Sequence, residues 1–267
     1  MNSAIERAIH CIWNRYSEPL SLNDIAQSAI LSRFHFSRLF KDATGVSPGR
    51  YLSAVRIYQA KRMLATTPMK VTEISFAVGF DSLGSFTNHF TESVGISPSR
   101  FRRMARDHGF EPPCWPRQAR AASRAGGMVA GTVSLPEAYG VARVYLGAFN
   151  TPIVQGSPAS AVVADVVSAG RYRLAGVPEG TWFIHAVAVA DSTDPEPWTR
   201  RSLLVGGHNA VTVTAGIGIR ADISLRPKCL TDLPILLALP DLEAGPDGFA
   251  QSGIQPVSVA SGVSGRV

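Results

Sequence analysis

Residues 32–43 read SRFHFSRLFKDA, and their side chains sort onto two faces of a helix. Phe36, Leu39 and Phe40 stand at i, i+3 and i+4 and make one apolar stripe. Arg33, Ser37, Arg38 and Lys41 then fall mostly on the opposite side. Such a row presents positive charge and hydrogen-bond donors in fixed directions, the chemistry that holds phosphates and reads the edges of bases. Arg38 is the strongest member, because a guanidinium pairs bidentately with guanine, an interaction worth about 1–3 kcal/mol of discrimination. Its bland alternative is a helix-surface ion pair with Asp42, four residues on.

Catalytic chemistry has no comparable support. The six histidines are scattered, no Ser, His and Asp accompany a nucleophile motif, and no glycine-rich loop opens a helix after a strand. Cys11, Cys114 and Cys229 are odd in number and far apart, which fits neither a disulfide framework nor a metal pair. No catalytic residue, metal or cofactor is therefore assigned, and the chain is expected not to be an enzyme. In the rear half, His185, Asp191, Trp182 and Trp198 either line a ligand site or divide into a core Trp182 and three surface residues.

The elements that must carry the cationic row emerge from an internal repeat. Residues 25–56 recur as residues 74–106, with one inserted residue near Asp81 and a constant offset after it. The pairs include Ser32/Ser82, Phe36/Phe86, Phe40/Phe90, Gly45/Gly95, Ser47/Ser97, Pro48/Pro98 and Tyr51/Phe101. Each copy reads as helix, tight turn, helix, stop and new helix. In the first, Ser21 caps a short helix to Ala29 with Asp24 completing a near capping box, and a second helix runs from Ser32 to about Ala43. Gly45 suits a left-handed C-cap, and Ser47-Pro48 is an N-cap followed by the proline favoured at the first helical position. The second copy repeats this with Thr72 as cap, Gly79 at the turn, Ser82, Gly95 and Ser97-Pro98. Two short helices joined by a tight turn form a helix-turn-helix unit, whose second helix enters the DNA major groove.

Over residues 3–107 the chain resembles the AraC-type transcriptional regulators, on IAxxAxLSxxxFSRLFKxxTGVSPxxYL in the first unit and ISFAVGFDSxxxFxxxFxxxxGISPSRFRR in the second. The resemblance implies an all-α, two-unit DNA-binding domain acting as activator or repressor. It implies contacts to bases at Phe34, Ser37 and Arg38, with Arg33 beside them and Lys41 nearer the backbone. In the second unit Asn88 stands where the family often carries a basic reader, Gly84 replaces a groove-facing side chain, and Thr87 and His89 reach phosphate. No Lys or Arg lies between Asp81 and Glu92, so this helix is expected to add less affinity, with Arg102 and its neighbouring arginines compensating through phosphates. The helix between the units, from Pro48 to about Ala65, spans roughly 27 Å. Successive major grooves on one DNA face lie about 34 Å apart, so one chain has the reach to address both. Its Arg50, Arg56, Lys61 and Arg62 are candidates for phosphate or acidic partners. A relation to methyl-acceptor repair proteins is rejected, because three dispersed cysteines build no four-cysteine zinc site and no P-C-H-R motif exists.

The charge distribution agrees. Residues 1–125 hold 17 Lys and Arg against 9 Asp and Glu, and the remainder 9 against 11, so a segment of +8 precedes one of −2 within a total of +6. After a Pro, Arg, Ala and Gly-rich linker over 108–127, the pattern changes to period-two runs separated by turn residues. The runs cover 129–135, 142–149, 161–167, 171–174, 181–190, 201–205, 210–214 and 220–225. They predict a multidomain chain: an all-α double helix-turn-helix domain over 1–107, then an all-β antiparallel sandwich over 128–227. Residues 228–267 are expected to be mostly extended or disordered, with 233–242 able to dock on a partner. Around Gly131 and in GRYRLAGVPEGTW the β half resembles prealbumin-like, carboxypeptidase-regulatory modules.

The expected partners are double-stranded DNA, RNA polymerase, and a small-molecule effector or a protein at the β domain. No run reaches the roughly 18 apolar residues of a membrane span, so no membrane partner is expected, and the chain is placed in a reducing cytoplasm. The competing reading is an adaptor whose β domain is the working part and whose DNA binding is weak.

Overall fold

The structure, a computed structural model, describes residues 3–106, 126–192, 201–239 and 255–256. The chain forms two compact units, and neither is continuous in sequence. One comprises Met1–Pro116, Phe149–Pro158 and Lys228–Phe249; the other comprises Arg117–Ala148, Ala159–Pro227 and Ala250–Val267. Simple boundaries after residues 127 and 227 are thus corrected, because two short segments of the rear half belong to the helical unit. The expected linker lies outside the described residues except for Gly126 and Gly127, and so do 240–254 and 257–267 of the tail. No described helix is long and apolar enough to cross a membrane.

The helical unit contains α1 (Ser3–Arg15), α2 (Leu22–Ser28), α3 (Arg33–Thr44), α4 (Pro48–Thr66), α5 (Val71–Ala77), α6 (Leu83–Val94) and α7 (Pro98–Arg106). Ser21 caps α2 in a full capping box: its hydroxyl accepts from Asp24 N at 3.3 Å and its own amide donates to Asp24 Oδ2 at 2.8 Å. The Ser21 hydroxyl also donates to Asp24 Oδ2 at 2.6 Å, and this bond first, with the one from the Ser21 amide, holds the Asp24 carboxyl below its ordinary pKa. Ser47 caps α4 ahead of Pro48, and Gly45 and Gly95 close α3 and α6 with φ of 78° and 87°. Thr72 is not the cap of α5. That role falls to Lys70, whose amide donates to the Glu73 carboxylate at 2.7 Å, so the acid rather than a hydroxyl sets the helix start.

Two aromatic triads occupy the core. Phe36 and Phe40 of α3 lie 5.4 Å apart between centroids, and Phe40 lies 5.4 Å from Tyr51 of α4. Phe86 and Phe90 of α6 repeat this at 5.6 Å, with Phe90 at 5.7 Å from Phe101 of α7. All six rings are fully buried, and the tilted and edge-on pairs add about 0.5–1.5 kcal/mol each beyond burial. Residues 228–239 form neither helix nor regular strand, yet Ile235, Leu236, Leu237, Ala238 and Leu239 are buried within this unit. The surface on which residues 235–239 of the docking run dock is the chain's own helical core.

The β unit holds two sheets. One orders β10 (Gln255–Pro256), β4 (Ala169–Val177), β1 (Gly127–Ser134) and β7 (Gly218–Arg220), with β8 (Ile223–Ser224) also on β1. The other orders β3 (Ser160–Val167), β2 (Tyr139–Phe149), β5 (Gly180–Ser192), β6 (Arg201–Val213) and β9 (Arg226–Pro227). Most described pairings are antiparallel, whereas β1 runs parallel to β7 and β8. Val129 and Leu174 from the first sheet and Val144, Leu146, Ile184 and Leu204 from the second join one buried cluster. The runs expected at 201–205 and 210–214 are one strand. Gly206 and Gly207 do not turn the chain but let it pass close by: a Cβ at 206 would stand 2.7 Å from Ser224 O. A Cβ at Gly131 would stand 2.2 Å from Ala221 O, the atom that also accepts the hydroxyl of buried Tyr172. Burial raises the pKa of that phenol far above its ordinary value.

The turns of the two helical copies differ in one costly respect. Gly79 takes φ 87° between α5 and α6, while the matching position between α2 and α3 is Ile30 at φ 59°, 79% exposed. Both turns close by the same bond, Leu31 N to Ala26 O at 3.1 Å and Phe80 N to Ser75 O at 3.0 Å. A β-branched residue in the left-handed region is strained by about 1–2 kcal/mol. Ile30→Gly should therefore raise stability by roughly 0.5–1 kcal/mol after the glycine's larger unfolded-state entropy is subtracted. Gly79→Ala should lower it by more than about 1 kcal/mol, since a Cβ there meets Ser17 O at 2.8 Å. Urea unfolding of both variants checks the pair; equal effects of either sign would refute the strain assignment.

Candidate nucleic-acid interface

α3 turns Phe36, Phe40 and Thr44 inward, which fixes what faces outward. Arg33, Phe34, Arg38 and Lys41 are exposed and Ser37 is half-buried. Phe34, Ser37, Arg38 and Lys41 follow i, i+3, i+4 and i+7, so they share one ridge of the helix. Phe34 is 85% exposed, so its ring is not part of the core. Arg38 and Asp42 form no ion pair, so the guanidinium is not committed to that neighbour.

α6 presents the equivalent ridge with Gly84, Thr87, Asn88 and Thr91. Gly84 opens on empty space, since nothing lies within 4 Å of a Cβ built there. Asn88 is exposed and Thr87 half-buried. His89 lies on the edge of the ridge with its ring 5.9 Å from Phe80, which in turn packs on Phe86 at 5.4 Å. Beside it, a cleft of about 490 Å³ is lined by Ser53, Arg56, Asp81, Ser82, Ser85 and His89 among others.

Three of the expected phosphate contacts are engaged elsewhere. Arg56 donates from Nε to Tyr16 O at 2.7 Å and from a terminal nitrogen to Glu18 O at 2.8 Å, tying α4 to the loop after α1. Burial lowers its pKa and the charge of Asp81 opposes that shift. Lys61 is 3% exposed, with Nζ donating to Leu237 O at 3.0 Å and Ile235 O at 3.4 Å. Arg102 is half-buried and donates to Met69 O, which ties α7 to the approach to α5. Arg50 and Arg62 remain exposed on α4.

Sequence reasoning missed the inward role of Lys61, although a signal was present. Lys61 falls four residues after Ile57 and three before Leu64, inside the apolar stripe of α4. In the β unit, Trp182 is partly buried against the cluster with Nε1 donating to Pro178 O at 2.8 Å, and His185 stacks on Phe183 at 6.3 Å. Trp198 and the side chain of Asp191 lie outside the described residues.

Residues 25–104 match the family model described as "Helix-turn-helix domain". The chain is 36% identical over 101 residues to the HTH-type transcriptional activator AarP of Providencia stuartii, covering 38% of this chain and 75% of that protein. It is 33% identical over 102 residues to the lactose operon transcription activator of Staphylococcus xylosus, of whose length it spans 37%. A solved AraC-type transcriptional regulator from Chromobacterium violaceum aligns at 28% identity and a TM-score of 0.38, over 39% of this chain and 94% of that one. Through its helical part, which carries the repeat and matches three quarters of AarP, the chain belongs to the AraC-type family of DNA-binding helix-turn-helix transcriptional regulators.

Proposed function

We propose that this chain regulates transcription by placing α3 and α6 in adjacent major grooves on one face of the DNA. The observation that carries this reading is the pair of outward ridges at repeat-equivalent positions, each backed by the same aromatic triad. α4 has 19 residues and is therefore roughly 28 Å long, close to the groove repeat of about 34 Å. Phe34, Ser37 and Arg38 read bases in the first groove, with Phe34 against a thymine methyl group, while Arg33 and Lys41 lie toward phosphate. Thr87 and Asn88 act in the second groove, and the side-chain-free Gly84 admits the backbone closely. Arg102 acts by holding α7 in place as well as by its charge.

The shared cluster of the two sheets supports a sandwich for the β unit, serving to sense an effector or dock a protein. AarP is named an activator; an activating role for this chain would run through RNA polymerase. Selection from random duplexes at physiological salt tests the reading. A distinct site should emerge whose protected length is about two helical turns, bound by one chain. Weak, sequence-blind binding would instead favour the adaptor.

On the selected site, Arg38→Ala should cost about 1–3 kcal/mol and relax preference at one or two base pairs. Asn88→Ala should cost less, because a neutral amide releases no counterion. Titration against the selected and a scrambled duplex at two salt concentrations ranks the two helices. A silent Arg38→Ala beside a severe Asn88→Ala would reverse the order.

A further inference from the structure

We propose that residues 149–158 and 228–239 act as a splint that fixes the spacing of the two recognition helices, with Lys61 as its positioning residue. The proposal rests on the two-groove reading above. α4 carries two of the attachment points of the later segment. Tyr51, whose ring packs on Phe40 behind α3, donates its hydroxyl to Leu230 O at 3.4 Å and accepts from Trp13 Nε1 at 3.3 Å. Ten residues on, Lys61 donates to Ile235 O and Leu237 O, with its ammonium 5.5 Å from the centre of Phe101, the ring that packs on Phe90 behind α6. The segment thus reaches from the first triad to the second, roughly 15 Å along α4.

The earlier segment bridges the same two heads at their far ends. Pro152 Cβ lies 3.7 Å from where a side chain would begin at Gly45, the C-cap of α3. Gly156 N donates to Ser93 O at 2.7 Å, at the end of α6, where Ala238 N also reaches Val94 O at 3.4 Å. Val154 O accepts from Leu236 N at 2.9 Å and Leu237 N at 3.2 Å, which joins the two segments into one body. A buried ammonium demands such carbonyls, so Lys61 and the splint hold each other in register.

The test uses the full chain and three duplexes: the selected site, the same site with its halves moved apart by one base pair, and the first half alone. Lys61→Met keeps an unbranched chain of similar length and removes the donors. Leu236→Ala loosens the splint and leaves the residues of α4 unaltered. Both should weaken binding to the native spacing by about tenfold, shrink the penalty for the altered spacing, and leave half-site affinity within about twofold, since a less rigid connection lowers effective concentration without changing either head. Equal losses on the half-site and the full site would overturn the proposal, as would an unchanged spacing penalty in both variants. No spacing preference in the unaltered chain would sink the two-groove reading, and this inference with it.

Discussion

Each of the helices α3 and α6 is held from behind by two of its own phenylalanines closed against a ring on the following helix. Phe36, Phe40 and Tyr51 do this for α3, and Phe86, Phe90 and Phe101 for α6. Deleting one such ring from a packed core typically costs about 3–5 kcal/mol, a large part of the stability of a small domain. Because inward positions at i and i+4 are fixed by these rings, the outward ridge has no freedom to rotate. Tyr51 stands near the start of the same α4 that carries Lys61, so the constraint on α3 passes along one rigid helix toward α6.

Much of this was legible in the sequence. The repeat, the caps at Ser21, Ser47 and Ser82, the left-handed glycines and the inward aromatics all follow from local rules acting on spacing, and each appears where those rules put it. The misses are non-local. Thr72 has a good capping hydroxyl, but Glu73 reaching back to Lys70 N moves the start earlier. Gly206 and Gly207 look like a turn in one dimension, and only the approach of Ser224 explains why they lie inside a strand. Lys61 reads as a solvated cation unless its place in the apolar stripe is weighed against its charge, and its carbonyl partners lie far along the chain.

The asymmetry between the two heads is chemical rather than architectural. Both helices have 12 residues, a serine before them and a left-handed glycine after them. Yet α3 displays Phe34, Ser37, Arg38 and Lys41 where α6 displays Gly84, Thr87, Asn88 and Thr91. One backbone thus supports a charged, directional surface and a small, neutral one. The first turn tolerates a strained Ile30 where the second uses Gly79, and such strain persists only where the surrounding bonds over-determine the backbone.

The helical unit is completed by residues that leave the ribosome late. Lys61 and Leu237 are 176 residues apart in sequence, so at about 5–20 residues per second the lysine waits on the order of 10–35 s for its carbonyls. Through that interval the nascent helices hold an ammonium and an apolar groove without their permanent cover, while the strands of the β unit are being synthesised. The helical unit is therefore completed only after β1 to β9 of the β unit have been synthesised, and a chain cut short before residue 239 would release its helices without the part that finishes them.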